Sequence, residues 1–190
     1  MALLILGLIL FLGTHSISIV KPGLRTSVVE RFGVPAWQGV YAIFSLVGFV
    51  LIVNGYDATR DAPIVLYDPP TWMKHITLLL MLPVFTFLFA AYLPGRIQSA
   101  VKHPMLLAVK IWALAHLLAN GNLGDVLLFG SFLAWAVADR ISLKRRAGPP
   151  VQGAPPSKVN DAIAVVGGLV LYVLFIFWLH HALFGVAPIH

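Results

Sequence analysis

Residues 2–20 read ALLILGLILFLGTHSISIV, a run without a single charge. A bilayer core needs about 20 apolar residues per helix, so this stretch is expected to cross one. No basic residue precedes the run, and Lys21 and Arg25 follow it. A cleaved secretory signal has the opposite layout, so a retained membrane helix is expected.

Five further segments meet or approach the same length. They lie at about 37–55, 73–93, 104–120, 123–138 and 161–184. Pro83 falls inside the third and predicts a kink. Pro104 opens the fourth, where its missing N–H costs nothing. The fourth and fifth are short, and Gly121, Asn122 and Leu123 between them predict a tight antiparallel hairpin. The expected fold is an all-α integral membrane protein. One transmembrane domain over residues 1–190 would form a bundle of about six transmembrane helices.

Composition points the same way. The 190 residues are 59% hydrophobic and only 11% charged, against roughly 25% charged in soluble domains. A soluble fold could not cover its surface with so few charges, so a lipid bilayer is the expected partner. The absence of cysteine excludes disulfides, thiolate metal sites and thiol nucleophiles. The net charge of +6 would suggest nucleic acid in a soluble protein. Here the bases sit between apolar runs and set orientation, and no nucleic acid is expected.

With the N-terminus outside, the inner loops 21–36, 94–103 and 139–160 hold ten Lys and Arg, and the outer loops only Arg60 and Lys74. This positive-inside bias places both termini outside, which for a bacterial inner (cytoplasmic) membrane is the periplasm. Residues 144–158 are rich in Pro, Gly and bases and predict a flexible cytoplasmic linker. Its bases either signal topology alone or also touch anionic headgroups. Trp37, Tyr56, Tyr67, Trp72 and Tyr92 fall at segment ends, as interfacial anchors do.

Ionisable groups at membrane depth are costly and are functional candidates. His15 lies in the first segment, between Thr14 and Ser16, and His116 in the fourth. A neutral imidazole is a good haem-iron ligand. The competing reading of each is a histidine hydrogen-bonded to a neighbouring helix. Trp112, four residues before His116, shares its helical face and could pack beside a porphyrin. His103 lies thirteen residues before His116, on another side of the helix, so the two do not share a ligand. A helix-start role suits it. His75 is a weaker candidate, and His180 and His181 suit an interface. Lys110 either snorkels to the inner face or pairs with an anion such as a haem propionate. Asp125 is expected at a helix start, and Asp139 is expected to pair with Arg140 at the inner edge. No phosphate-binding loop, nucleophile elbow, zinc motif or paired carboxylates occur.

Residues 95–137, GRIQSAVKHPMLLAVKIWALAHLLANGNLGDVLLFGSFLAWAV, resemble the NnrU family of bacterial membrane proteins, which is related to the plant 15-cis-zeta-carotene isomerase. The pieces carrying the resemblance are Lys102-His103-Pro104, Ile111-Trp112, Leu114-Ala115-His116, Gly121-Asn122 and, in the first segment, Gly13-Thr14-His15-Ser16. Asn54-Gly55-Tyr56-Asp57 matches more loosely. The resemblance implies a haem b within the bundle, with His15 and His116 at the axial positions. It also implies a link to denitrification, around nitrite and nitric oxide, with a possible redox or reductase partner protein. The isomerase has a cysteine three residues before the second histidine, where this chain has Ala113. A His-to-Cys ligand switch is therefore impossible here.

Two kinds of function follow. One is a haem-binding membrane protein of nitrogen-oxide metabolism, in which Lys110 or the inner arginines pair the propionates. The other is a lipid-substrate enzyme such as a carotenoid cis-trans isomerase. A methyltransferase is a weaker form of the second, since Lys102-His103-Pro104 resembles a segment of isoprenylcysteine methyltransferases. A cofactor-free structural protein is the third alternative.

Overall fold

The computed structural model describes residues 1–146 and 153–189, and their regular elements are all helices, with no strand among the described residues. In chain order the helices are α1 (Ala2–Val20), α2 (Leu24–Arg60), α3 (Trp72–Met81), α4 (Val84–Tyr92), α5 (Arg96–Val101), α6 (Pro104–Ala119), α7 (Leu123–Ser142), α8 (Val159–Leu174) and α9 (His180–Phe184). A π-helical turn, Phe175–Leu179, joins α8 to α9. Four runs are long and apolar enough to cross a membrane: Ala2–Val20, Leu24–Arg60, Trp72–Tyr92 and Val159–Phe184. Pro104–Ala119 is apolar but shorter. Large apolar side chains such as Ile9, Leu79 and Phe177 stand exposed on these helices, which fits a lipid surround.

The chain forms two compact units. The first comprises Met1–Asp68 with 120–146, and the second Pro69–Ala119 with 153–189.

In the first unit α1 packs on α2 and α7. The buried residues Leu4 and Leu8 continue at 4-3-4 spacing through Phe11 to His15, one stripe of α1. On α2 the stripe is Tyr41, Ser45, Gly48, Ile52, Gly55 and Thr59, of which the last four are buried. Glycine lets the two backbones meet closely. A Cβ on Gly55 would lie 2.3 Å from Leu4 N, and one on Gly48 would lie 2.7 Å from Phe11 N.

The loop after α2 pairs with the turn before α7. Leu66 N–H and Tyr67 N–H donate to Gly121 O, and Leu123 N–H donates to Ile64 O at 2.8 Å. Only glycine fits at 121, since a Cβ there would overlap Tyr67 O at 1.8 Å.

In the second unit α6 packs on α3 and α4, and α4 on α8. Thr77 donates to Ala115 O at 2.8 Å, and Tyr172 to Leu78 O at 2.7 Å. Asp161 accepts from the amides of Arg96 and Ile97 at 2.8 and 3.0 Å. Buried Asn160 donates to Pro94 O and Pro155 O.

Several expectations change. Much of the expected inner loop 21–36 is helical. Helix α2 starts at Leu24 and breaks only at Gly33, whose φ of 84° and ψ of 164° leave the helical region. Backbone beside a membrane satisfies its own polar groups best by winding up. The expected hairpin of the fourth and fifth segments is divided between the units, α6 packing on α3 and α4 and α7 on α1 and α2. Asp139 forms its ion pair with Arg146 rather than with Arg140. Arg146 lies a further turn and a half on, after the chain has left the helix, where its side chain reaches back. Of the expected linker 144–158, residues 147–152 lie outside the described residues, as does His190. The described part from 153 is tied down, with Ala154 N–H donating to Tyr92 O at 2.9 Å. The expected break at Pro83 and start at Pro104 both stand.

Candidate functional site

His15 ends the buried stripe of α1 and is half-buried. Its Nδ1 lies 2.7 Å from Phe11 O, one turn back on its own helix. A carbonyl only accepts, so Nδ1 carries the hydrogen, and in the neutral ring Nε2 carries the lone pair. Aromatic rings surround the imidazole. Phe11 stacks on it at 4.2 Å, Tyr41 meets it edge-on at 5.3 Å, and Trp135 stands perpendicular at 6.0 Å. Each comes from a different helix of the first unit. An apolar groove of about 450 Å³ runs along α1 and α2 past Gly13, Thr14, Trp37, Tyr41 and Phe44.

His116 lies in the second unit, half-buried near the end of α6. It repeats the local arrangement of His15. Nδ1 lies 2.8 Å from Trp112 O, again one turn back. The Trp112 ring is 5.4 Å from the imidazole, tilted by 52°. Ala113, three residues before His116, is fully buried.

The other expected residues are more scattered. Lys110 is half-buried on α6, six residues before His116. His103 immediately precedes Pro104 and takes the helix-start place expected of it, its carbonyl accepting from Leu107 N–H at 3.1 Å. His75 is exposed in the first turn of α3. His180 Nδ1 meets Val186 O at 2.6 Å, a local contact at the chain's end.

Among the described residues no three His, Asp or Glu gather as a metal-binding group. A haem iron has four equatorial bonds from its porphyrin and needs only one or two imidazoles. His15 and His116, each with its tautomer fixed by a backbone carbonyl, have the chemistry of such ligands.

The family model described as NnrU protein matches residues 3–188, nearly the whole chain. The chain belongs to the NnrU family. The match runs through both compact units and includes His15, His116 and every other residue singled out above. No curated protein and no solved structure matches this NnrU chain.

Asp125 takes the helix-start place expected of it, but its bond with Tyr56 was not expected. Tyr56 donates to Asp125 Oδ1 at 2.6 Å, and Asn122 N–H to Asp125 Oδ2 at 3.1 Å. Asp125 is 5% exposed, and with Asn122 it forms the capping box of α7. Tyr56 therefore anchors a buried carboxylate rather than an interface. The signal was present: Tyr56 and Thr59 bracket one turn at the end of an apolar run, where an interfacial tyrosine and a buried donor look alike. Tyr67 donates to Asn120 O at 2.8 Å. Burial first, and then the nearby Asp125 charge, push its phenol above the ordinary range.

Proposed function

We propose that this protein is a haem b-binding integral membrane protein linked to nitrite and nitric oxide metabolism, with His15 and His116 as the iron-ligating residues. The observation that carries this reading is the matched pair of Nδ1-to-carbonyl bonds at 2.7 and 2.8 Å. Each orients its ring and sets Nε2 as the nitrogen able to ligate iron. Family membership supports it. When bound, the haem would supply one-electron chemistry or a site for a diatomic ligand. Phe11, Tyr41 and Trp135 flank the His15 ring and would hold it in place, and Trp112 flanks the ring of His116. Lys110 is the residue of α6 suited to a propionate. His103 and His75 are outer candidates for contact with the cofactor.

The test is the visible spectrum of the purified, detergent-solubilised protein. A Soret band is expected that is lost or shifted in His15→Ala and in His116→Ala. A colourless protein that takes up no added haem would overturn the reading.

The proposal includes six spans, with α6 and α7 crossing beside the four longer runs, in a bacterial inner membrane with both termini periplasmic. The cysteine-free sequence suits single-cysteine labelling. Ala187→Cys and Asp68→Cys should react with an impermeant maleimide from outside, and Ser157→Cys only after lysis.

A second reading is a lipid-substrate enzyme such as a carotenoid isomerase. The apolar groove along α1 and α2 favours it, since Trp37, Tyr41 and Phe44 would line a long apolar chain. Turnover of a poly-cis carotene would establish it.

A further inference from the structure

An open cleft of about 520 Å³ lies within the second unit, between the turn that leads into α5 and the start of α8. Its polar lining is Arg96, Ser99, Ser157, Lys158 and Asp161. The walls are fixed by bonds to the backbone. Asn160, 5% exposed, donates to Pro94 O and Pro155 O at 2.8 and 2.9 Å. Asp161 clamps the turn through the amides of Arg96 and Ile97. A Cβ on Gly95 would come within 2.5 Å of Asp161 Oδ1, so the turn passes here without a side chain.

The hydrogen-bonding capacity left in the cleft is one-sided. Both oxygens of Asp161 already accept from amides. The Ser99 hydroxyl gives its hydrogen to Gly95 O at 2.9 Å. Ser157 Oγ accepts from Val159 N–H at 3.3 Å, which leaves its own hydrogen to give. Neither Arg96 nor Lys158 has an ion-pair partner among the described residues, and both side chains only donate. Two cations and a spare hydroxyl hydrogen suit a group with several anionic oxygens, above all a phosphate. No free carboxylate is present to receive the ammonium of a zwitterionic headgroup.

The position of the cleft indicates where that phosphate comes from. Helix α4 ends at Tyr92, α8 begins at Val159, and the two pack together. They belong to the runs Trp72–Tyr92 and Val159–Phe184, each long and apolar enough to cross a membrane. The cleft therefore lies at the shared end of two such runs, where headgroups rather than hydrocarbon are expected. An exposed apolar stripe leads away from it along α8. Val159, Ile163, Val166 and Val170 recur at 4-3-4 spacing and are 60%, 47%, 62% and 55% exposed. A free phosphate would use the cleft alone, whereas a phospholipid would use both cleft and stripe.

We propose that this cleft holds the phosphate of an anionic phospholipid such as phosphatidylglycerol. Arg96, Lys158 and Ser157 donate to its oxygens, and an acyl chain lies along the stripe of α8. The inference does not depend on any cofactor.

The test titrates delipidated, detergent-solubilised protein with dioleoylphosphatidylglycerol, dioleoylphosphatidylcholine and inorganic phosphate, and counts bound molecules by native mass spectrometry. One phosphatidylglycerol should bind about tenfold more tightly than phosphatidylcholine. Arg96→Gln and Lys158→Gln should each weaken phosphatidylglycerol about three- to tenfold, the loss of roughly one charged hydrogen bond. Phosphatidylcholine binding should not change. Arg96→Gln keeps the backbone amide that Asp161 accepts from, so the clamp survives. Lys21→Gln, just past α1 in the first unit, controls for general charge attraction and should bind both lipids as the wild-type protein does.

Equal affinity for the two lipids, or an equal loss in Lys21→Gln, would overturn the proposal. So would equal weakening of both lipids in Arg96→Gln and Lys158→Gln, which marks a loosened fold. Displacement of phosphatidylglycerol by millimolar inorganic phosphate would overturn the lipid as occupant in favour of the free ion.

Discussion

Tyr56 and Asp125 meet at 2.6 Å, phenol to carboxylate, 69 residues apart in the chain. The contact ties the end of α2 to the first turn of α7. Asp125 is almost fully buried, and its carboxylate accepts from this phenol and from the Asn122 amide. Tyr56→Phe leaves the carboxylate one donor short and should cost about 1–3 kcal/mol. A lowered Tm of the solubilised protein is the expected reading. An unchanged Tm would mean that water replaces the phenol.

The seam of α1 and α2 depends on small residues at chosen places. Gly55→Ala puts a methyl group 2.3 Å from Leu4 N, and Gly48→Ala puts one 2.7 Å from Phe11 N. Both obstacles are backbone and cannot turn aside. Each substitution should cost about 1–3 kcal/mol through overpacking. Gly13→Ala is the control, because nothing lies within 4 Å of a Cβ there. It should be neutral or slightly stabilising, since alanine favours helix. Equal Tm loss in all three would refute the packing account.

Asp161 reaches from α8 to cap α5 by accepting two amide hydrogens. Asp161→Ala strands the amides of Arg96 and Ile97, with a cost of about 0.5–2 kcal/mol, as for other lost caps. Local opening is the readout. Trypsin should cut after Arg96 and Lys102 faster in the variant than in the wild-type protein. Asp161→Asn keeps one acceptor oxygen and should fall between them.

Tyr67 gives the chain a specific alkaline weakness. Its phenol titrates above the ordinary value, because burial and the Asp125 charge both oppose the anion. A folded-state value raised above the unfolded one contributes stability that is complete below pH ~10 and fades as pH rises through the folded value. Ionisation also removes the hydrogen that Tyr67 gives to Asn120 O. Tyr67→Phe should therefore be less stable than wild type at pH 8, and the Tm gap should narrow above pH ~10. A gap constant with pH would rule this out.

The four longest apolar runs were legible because lipid imposes a length and a composition on any crossing helix. Pro83 and Pro104 marked a break and a start because a missing N–H acts locally. Helix α2 runs further than its apolar core because Arg25, Thr26, Ser27, Glu30 and Arg31 lower the hydropathy of a stretch that is nonetheless helical. The Asp139–Arg146 pair and the Tyr56–Asp125 bond were hidden for a different reason. Side-chain partners are chosen by the folded chain, and no local period encodes them. His15 and His116 stood out as rare ionisable groups in apolar surroundings. Tyr41 and Trp135, whose rings flank His15, and Ser45, one turn from Tyr41 on the same stripe, did not, since each is unremarkable in a membrane helix taken alone. The 4-3 spacing from Tyr41 through Ser45 and Gly48 to Thr59 was the available clue to Tyr41 and Ser45.

The widened turn at Phe175–Leu179, where His180 N–H bonds to Phe175 O five residues back, holds one residue more than an α-helical course would need. Deleting any one of these five residues would let α8 run straight into α9. Everything downstream would then turn by about 100° about the helix axis. His180, His181 and Phe184 would present a different side to their surroundings, while the upstream part of α8 kept its place. Length variation of a single residue at this point thus offers a way to re-aim the chain's last helical turn without disturbing the rest of the span.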